Sequence, residues 1–125
     1  MNLNQVTVPA RDVERAIAFY QTLGMHLIVR ALPNYARFEL SEGDATFSVH
    51  RVDAMPEGDG VLVYFESERL DAMVAELRQQ GIVFDQLPKD QPWLWREARL
   101  RDPDGNQLIL FQAGINRKNP PWRIG

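Results

Sequence analysis

The chain has 125 residues, of which 45% are hydrophobic and 25% charged, its net charge is −3, and it contains no cysteine. This length suits one compact domain. The lack of cysteine excludes disulfides, thiolate catalysis and cysteine-based zinc sites, and it agrees with a cytoplasmic location. Mixed charges without a Lys/Arg block predict no nucleic-acid partner. The lack of a long apolar run or a signal-like N-terminus predicts no membrane partner.

The first half of the chain predicts a strand, a helix and three further strands. The first strand covers residues 3–9. The helix begins after Asp12, a suitable N-cap, and its apolar residues recur at helical spacing up to Gly24, which supplies the C-cap. Three segments follow that alternate like strands and are separated by turn-forming residues: 25–30, 35–40 and 45–52. Residues 53–60 then form a linker.

The second half predicts the same order of elements. A strand at 61–66 precedes a helix that extends from Leu70 to Gly81, with Ser67 as its N-cap. Three short strands follow: 83–85, 94–101 and 107–112. The turn before the last strand, Asp102-Pro103-Asp104-Gly105, has strong hairpin chemistry. The tail, 114–125, has no periodicity and is predicted to be an extended arm.

The two halves form a weak internal repeat, βαβββ twice. In the common register, Val6 and Val8 match Val63 and Phe65, and these residues should face their helices because strand side chains alternate. The same alternation places Leu62 and Ile109 on the face away from the helices, and Val61, Val63, Leu108 and Leu110 towards them. We therefore predict a single domain over 1–125, with module one at about 1–55, module two at about 60–113 and the arm at 114–125.

Two segments of the chain resemble signatures of the vicinal-oxygen-chelate superfamily, which contains glyoxalases, bleomycin-resistance proteins and extradiol dioxygenases. Val6-Thr7-Val8, followed by Arg11-Asp12-Val13-Glu14-Arg15-Ala16-Ile17-Ala18-Phe19-Tyr20 and Leu23-Gly24, is similar to its opening. Arg101-Asp102-Pro103-Asp104-Gly105-Asn106 resembles its closing signature, and Trp95-Arg96-Glu97 is similar to the bleomycin-resistance branch. The resemblance implies an α+β fold in which two βαβββ modules in tandem form a curved mixed-sheet cup. It also implies a homodimer.

Enzymes of this superfamily hold a divalent metal in the cup with His, Gln and Glu. The resemblance places the four ligand positions of this chain at Gln5, Ser48, Leu62 and Ile109. Because Leu62 and Ile109 have no lone pair to offer, we expect no cofactor and no metal at the usual site. An alternative is a shifted site in which Gln5, His50 and Glu97, with Glu39 nearby, bind Zn, Ni, Mn or Fe. In that case Glu97 or His50 would be the catalytic group that moves a proton.

With the metal left out, the concave face is mostly apolar and aromatic with a few polar groups, as is typical of a small-molecule pocket. The predicted ligand-binding residues are Gln5, Thr7, Ser48, His50, Leu62, Tyr64, Trp93, Trp95, Glu97, Ile109 and Phe111. Trp93 and Trp95 would wall the cup, although at least one tryptophan of the chain should pack in the core. Three arginines offer a clamp for a carboxylate or phosphate, or else pair with strand neighbours such as Glu39 and Glu97: Arg37, Arg96 and Arg99.

Two functions follow from these observations. The first is a small-molecule-binding protein of the glyoxalase/bleomycin-resistance type that sequesters or senses an aromatic or amphipathic compound without changing it. The second is a metal-dependent lyase, isomerase or dioxygenase that uses the shifted ligand set. The loss of donors at Leu62 and Ile109 favours the first function, and the sequence identifies no particular ligand.

Overall fold

A computed structural model describes residues 1–125 and contains eight strands, two α-helices and a short 3-10 helix. The elements in chain order are β1 (Gln5–Ala10), α1 (Val13–Thr22), β2 (His26–Ala31), β3 (Tyr35–Glu39), β4 (Thr46–Arg51), β5 (Val63–Glu66), α2 (Leu70–Gln79), β6 (Phe84–Asp90), β7 (Arg96–Arg101), β8 (Gln107–Gln112) and the 3-10 helix (Gly114–Asn116). The predicted order βαβββ therefore occurs twice, and the strands form two four-stranded mixed sheets. No helix has both the length and the apolar character that crossing a membrane requires.

The first compact unit comprises Met1–Gly60 together with Asp102–Asn106. Its sheet has the order β1-β4-β3-β2, in which β1 is parallel to β4 and the other neighbours are antiparallel. The ring of Tyr20 on α1 lies 4.7 Å from Phe47 and 5.8 Å from Phe38 between centroids. These two phenylalanines mark the sheet face that α1 covers. Side chains at the alternate strand positions lie on the opposite side, which we call the open face.

The second compact unit comprises Val61–Arg101 and Gln107–Gly125. Its sheet repeats the arrangement with the order β5-β8-β7-β6 and a parallel β5–β8 pair. Arg96 of β7 donates from Nε to Asp71 of α2 at 2.9 Å, which identifies the face covered by that helix. The alternate residues of β7 and β8 therefore point to the open face of this unit: Glu97, Arg99, Ile109 and Phe111.

Local sequence chemistry explains where α1 begins and ends. Asp12 caps its N-terminus by accepting a hydrogen bond from the Arg15 backbone N–H at 3.1 Å. Gly24, just beyond the last turn, has a φ of +99°, a left-handed conformation that glycine adopts without a Cβ clash. Both predicted ends of this helix are confirmed.

The predicted N-cap of α2, Ser67, is wrong. The hydroxyl oxygen of Ser67 accepts a hydrogen bond from the Arg69 backbone N–H at 3.0 Å, so Ser67 forms a turn ahead of the helix. Arg69 occupies the cap position and makes no side-chain capping hydrogen bond. Position Val61, predicted to face the helix, precedes β5 and is 75% exposed.

Three strand or tail boundaries also differ from the prediction. Strand β6 continues through Pro88 to Asp90, which is possible because β6 is an edge strand and the missing N–H of proline does not interrupt the ladder. Strand β7 begins only at Arg96, because a turn precedes it in which the Gln91 N–H donates to the Trp95 carbonyl. The tail is not extended at its start, where it forms the 3-10 helix.

Candidate functional site

Three aromatic side chains meet on the open face of the second unit, and we call them the aromatic cluster: Tyr64, Trp95 and Phe111. Trp95 stacks on Phe111 with ring centroids 4.7 Å apart and an interplanar angle of 23°. Tyr64 meets both rings edge-on, at 5.9 Å from Trp95 and 5.6 Å from Phe111. Stacked and edge-to-face pairs of this kind are stabilised beyond their area burial.

One side of the aromatic cluster packs on buried residues, and the other side is exposed to solvent. Phe111 and Ile109 form its buried floor, with relative exposures of 4% and 1%. Tyr64 keeps 41% of its surface exposed, and Trp95 is half-buried. The indole N–H of Trp95 donates to the Asn116 carbonyl oxygen at 3.2 Å, so the 3-10 helix fixes the orientation of this ring. A flat ligand can contact Tyr64 and the outer part of Trp95.

Glu97 lies on the same open face but has no exposed surface. Its Oε2 accepts a hydrogen bond from the Trp93 indole N–H at 2.7 Å, and its Oε1 lies 3.3 Å from a terminal nitrogen of Arg99. A carboxylate with two donors of this strength is stable away from water. In this structure Glu97 therefore acts on a ligand only through Trp93 and Arg99, which it holds in place.

Glu66 attaches the start of the tail to the second unit. Its Oε2 accepts hydrogen bonds from the backbone N–H groups of Ala113 and Gly114 at 3.0 and 3.1 Å. Its Oε1 forms an ion pair with Nε of Arg117 at 3.4 Å. These contacts position the segment that binds the Trp95 indole.

On the open face of the first unit, hydroxyl groups form a cluster beside an arginine. Thr7 and Ser48 are paired across β1 and β4, and their hydroxyl oxygens lie 2.6 Å apart. Arg37 donates from Nε to the phenol oxygen of Tyr35 at 2.9 Å, and the Ser48 hydroxyl also acts on this phenol and lowers its pKa. We call Thr7, Ser48 and Tyr35 the hydroxyl cluster.

The environment of Tyr35 lowers the pKa of its phenol. Burial opposes ionisation, but the hydrogen bonds with Ser48 and Arg37 and the positive charge of Arg37 outweigh it and lower the pKa of Tyr35. The guanidinium carbon of Arg37 also lies 5.4 Å from the centre of the Tyr35 ring, within the range of a cation–π contact.

The remaining predicted residues of the first unit lie apart from each other. Gln5 stands opposite Thr46 and accepts a hydrogen bond from its hydroxyl at 2.8 Å, whereas His50 stands opposite Pro9, four residues further along the same strand pair. At about 3.3 Å per residue, their backbones are separated by about 13 Å. Gln5 and His50 are both exposed, and the register does not bring them together. In the second unit, Leu62 precedes β5 and is also exposed.

The donors present do not fit a usual divalent metal site. No group of three or more His, Asp or Glu side chains is arranged to hold a metal ion. The positions that the resemblance assigns to ligands include Ser48, whose hydroxyl is engaged by Thr7, and Ile109, which packs under Trp95. A tetrahedral or octahedral site needs at least three protein donors around one point, and the arrangement on each open face supplies none.

Surface depressions also occur away from the two open faces. In the second unit, one of about 430 Å³ is lined by Arg78, Gly81, Ile82, Val83, Phe84 and Leu87. In the first unit, one of about 280 Å³ is lined by Arg11, Asp12, Val13, Glu14, Leu32, Pro33 and Arg51. Both are lined by residues of a helix end and an adjoining strand or loop, and neither contains an aromatic platform like that of the open face.

Sequence reasoning missed the contributions of Tyr35, Glu66 and Asn116. Tyr35 has the same strand parity as Arg37, and it pairs across the sheet with His50, so the predicted register contained a signal for it. Strand alternation places Glu66 on the same face as Tyr64, but the sequence indicates no partner for it. Asn116 contributes a backbone carbonyl, which leaves no trace in the residue type.

This arrangement, a βαβββ unit that occurs twice with polar and aromatic side chains on the open sheet faces, defines the class of α+β proteins with the glyoxalase/bleomycin-resistance fold. The chain belongs to the Glyoxalase/Bleomycin resistance protein/Dioxygenase superfamily, whose family model matches residues 2–110. No protein of curated function matches it significantly in sequence.

Solved structures of the same superfamily are similar to this chain over nearly its whole length. A glyoxalase/bleomycin resistance protein/dioxygenase from Nocardioides is 26% identical, with a TM-score of 0.79, covering 100% of this chain and 90% of its own. A bleomycin-binding protein complexed with bleomycin is 22% identical, with a TM-score of 0.71, covering 90% and 98%. A lactoylglutathione lyase from Agrobacterium tumefaciens is 18% identical, with a TM-score of 0.72, covering 89% and 92%. The last two similarities show the fold alone.

Proposed function

We propose that this chain binds a small planar or aromatic molecule on the open face of its second unit and does not change it chemically. The observation that carries the proposal is the aromatic cluster, in which Tyr64 and Trp95 remain accessible above a buried floor. An apolar platform with a few fixed polar groups at its edge is typical of small-molecule sites. The bleomycin-binding protein of the same fold supports this kind of activity.

Trp93 and Arg99 supply the polar edge of the proposed site. Both are held by the buried carboxylate of Glu97, which fixes the Trp93 ring through its indole N–H. Because the two side chains are already oriented, a ligand that contacts them has less conformational entropy to remove on binding. Glu97 is therefore a positioning residue in this proposal.

Fluorescence titration tests the proposal, with bleomycin and simple naphthalene derivatives as probes. We expect quenching of tryptophan emission with saturation, and about three- to tenfold weaker binding in Tyr64→Ala, because one aromatic pair contact is lost. Trp122→Phe is the matched control, since Trp122 lies in the exposed tail and has no contact with the aromatic cluster. Equal affinities in wild type, Tyr64→Ala and Trp93→Ala would contradict the proposal.

The proposed function needs no bound metal. Leu62 and Ile109 lack donor atoms at two of the positions where the superfamily places ligands, and Gln5 and His50 lie far apart along their strands. Metal analysis of protein purified without chelators would contradict this part of the proposal if it found one equivalent of Zn, Ni, Mn or Fe per chain.

We also propose that the chain acts as a cytoplasmic homodimer. Several large apolar side chains are exposed, among them Leu3, Val83, Ile115 and Ile124, and their burial in a dimer would be favourable. Light scattering at micromolar concentration should therefore return twice the chain mass. A stable monomer would contradict the dimer without affecting the proposed ligand site.

A further inference from the structure

We propose that the open face of the first unit binds a small oxyanion, a carboxylate or a phosphate group, through Arg37 and Tyr35. The residues of this site belong to the first unit alone, and the proposal does not depend on the function suggested above.

The first observation concerns the ion pairs of Arg37, Arg96 and Arg99. Arg96 forms ion pairs with Asp71 and Asp90, and Arg99 forms one with Glu97. Arg37 has no carboxylate within ion-pair distance, although Glu39 lies two residues away on the same strand face. Of the three arginines that the sequence offered as an anion clamp, only Arg37 keeps its charge unmatched in this structure.

The second observation is the geometry of the guanidinium group. Arg37 uses only Nε for a hydrogen bond inside the protein, to the phenol oxygen of Tyr35. Both terminal nitrogens therefore keep their N–H donors for a ligand. A guanidinium group with two free terminal nitrogens matches the two oxygens of a carboxylate or phosphate in a bidentate pair.

The third observation is that Arg37 is held in place by a partly buried group of polar side chains. Arg37 donates to the Tyr35 phenol, and Ser48, which hydrogen bonds with Thr7, acts on the same phenol. Ser48 is fully buried, so its hydroxyl is shielded from competing water and fixes the phenol. The rigid phenol in turn fixes the guanidinium, and a prearranged donor set binds an anion with a smaller entropy cost.

The charges and hydrogen bonds around Arg37 and Tyr35 also explain why the ligand should be an anion. The positive charge of Arg37 and the hydrogen bonds around Tyr35 stabilise negative charge at this point of the face, as the lowered pKa of Tyr35 also indicates. His50, opposite Tyr35 on β4, contributes either no charge or a positive one. Glu39 is the one acidic side chain on this face of β3, at its far end, and it pairs with His26.

Isothermal titration calorimetry at neutral pH tests the site, with acetate and methyl phosphate as the two anionic probes and acetamide as the uncharged control, because none of these is aromatic. We expect one of the anions to bind at millimolar concentrations or below, and acetamide to bind more weakly. Tighter binding of acetate assigns a carboxylate ligand, and tighter binding of methyl phosphate assigns a phosphate monoester. No binding of either anion, or equal binding of acetamide, would overturn the proposal.

Two variants and a matched control locate the bound anion. Arg37→Gln should weaken binding of the preferred anion by about tenfold or more, because a bidentate charged contact is lost. Tyr35→Phe, which keeps the charge, should weaken it by about two- to tenfold. Arg30→Gln is the control, since Arg30 belongs to the same sheet but pairs with Glu14 of α1.

Unchanged affinity in both Arg37→Gln and Tyr35→Phe, or an equal loss in Arg30→Gln, would overturn the site. Tyr64→Ala should leave anion binding unchanged while it weakens binding of planar compounds. Failure of the anion site and failure of the proposed function are therefore separate results.

Discussion

At the scale of single residues, Tyr20 shows how one hydroxyl is tied to the buried core. Its ring packs against Phe38 and Phe47, and its O–H donates to Oδ2 of Asp102 at 2.6 Å. Burial, followed by the negative charge of Asp102 and this hydrogen bond, strongly raises the pKa of Tyr20. The protonated phenol is therefore the form that the folded state requires.

This shift predicts a loss of stability at high pH. In the unfolded chain Tyr20 ionises near its ordinary pKa of about 10, whereas in the folded chain it stays protonated. The unfolded state therefore loses a proton first, and the free energy of unfolding should fall as pH rises above about 10. Tyr20→Phe should remove this contribution and should cost about 1–3 kcal/mol at neutral pH, because Asp102 loses a donor.

Urea denaturation at neutral and at alkaline pH measures both effects. Tyr64→Phe is the control, because it removes an exposed hydroxyl. If Tyr20→Phe had the same stability as wild type at neutral pH, the hydrogen bond to Asp102 would contribute nothing and the explanation would be wrong.

The roles of single residues could be predicted from the sequence where their hydrogen-bond partners are close in sequence. Asp12 and Gly24 were predicted from helix-capping chemistry, which involves residues within a few positions. The lack of an ionic partner for Arg37 was not predictable, because Glu39 has the right strand parity and yet pairs with His26. The enclosure of Glu97 depends on the turn that returns Trp93 to it, and in that turn Leu94 has a φ of +67° that its residue type does not indicate.

At the scale of elements, the 3-10 helix holds one ring of the aromatic cluster, the Trp95 indole. Glu66 at the end of β5 holds the first residues after β8, and the carbonyl of Asn116 holds the Trp95 indole. These contacts connect the tail to the proposed ligand site. The sequence indicated an arm but not its position, because the attachment uses backbone N–H and C=O groups that every residue type has.

Glu66→Ala should therefore loosen this element. We expect faster hydrogen exchange over residues 113–117 and a red shift of tryptophan emission, since Trp95 becomes more hydrated. The free energy of unfolding should fall by about 1–2 kcal/mol through loss of the hydrogen bonds to the carboxylate. Glu68→Ala, which changes an exposed neighbour, is the control. Exchange rates that match wild type in Glu66→Ala would show that Glu66 does not hold the tail.

At the scale of the whole molecule, the internal repeat predicted the fold well, because apolar periodicity and turn chemistry determine the order of strands and helices. The order of the elements along the chain and the superfamily follow the prediction. Three strand starts were placed two residues too early, at 3, 61 and 94, where apolar residues precede the hydrogen-bonded ladder. Apolar character alone does not show where backbone pairing begins.

The repeat also suggests that the chain divides near residue 60, but the compact units divide it differently. The first unit includes Asp102–Asn106, a turn that lies far away in sequence. Within this unit Asn106 donates from its amide nitrogen to the Pro9 carbonyl at 2.8 Å, and Arg15 donates to Asp104 at 2.9 Å. With the bond from Tyr20, these contacts attach the 102–106 turn to α1 and to the end of β1.

A fragment of residues 1–60 should therefore not fold by itself. It retains all four strands of its sheet and α1, yet the buried Tyr20 hydroxyl has lost its acceptor and the Pro9 carbonyl its donor. Each buried group left unpaired costs about 1–3 kcal/mol, a large part of the stability of a domain this small. We expect poorly dispersed amide resonances and no cooperative melting for the fragment. Addition of residues 61–125 in trans should restore dispersed resonances, since it returns the missing turn. A fragment that melts cooperatively at the temperature of the intact chain would show that these contacts are dispensable, and that the two halves fold as the repeat alone suggests.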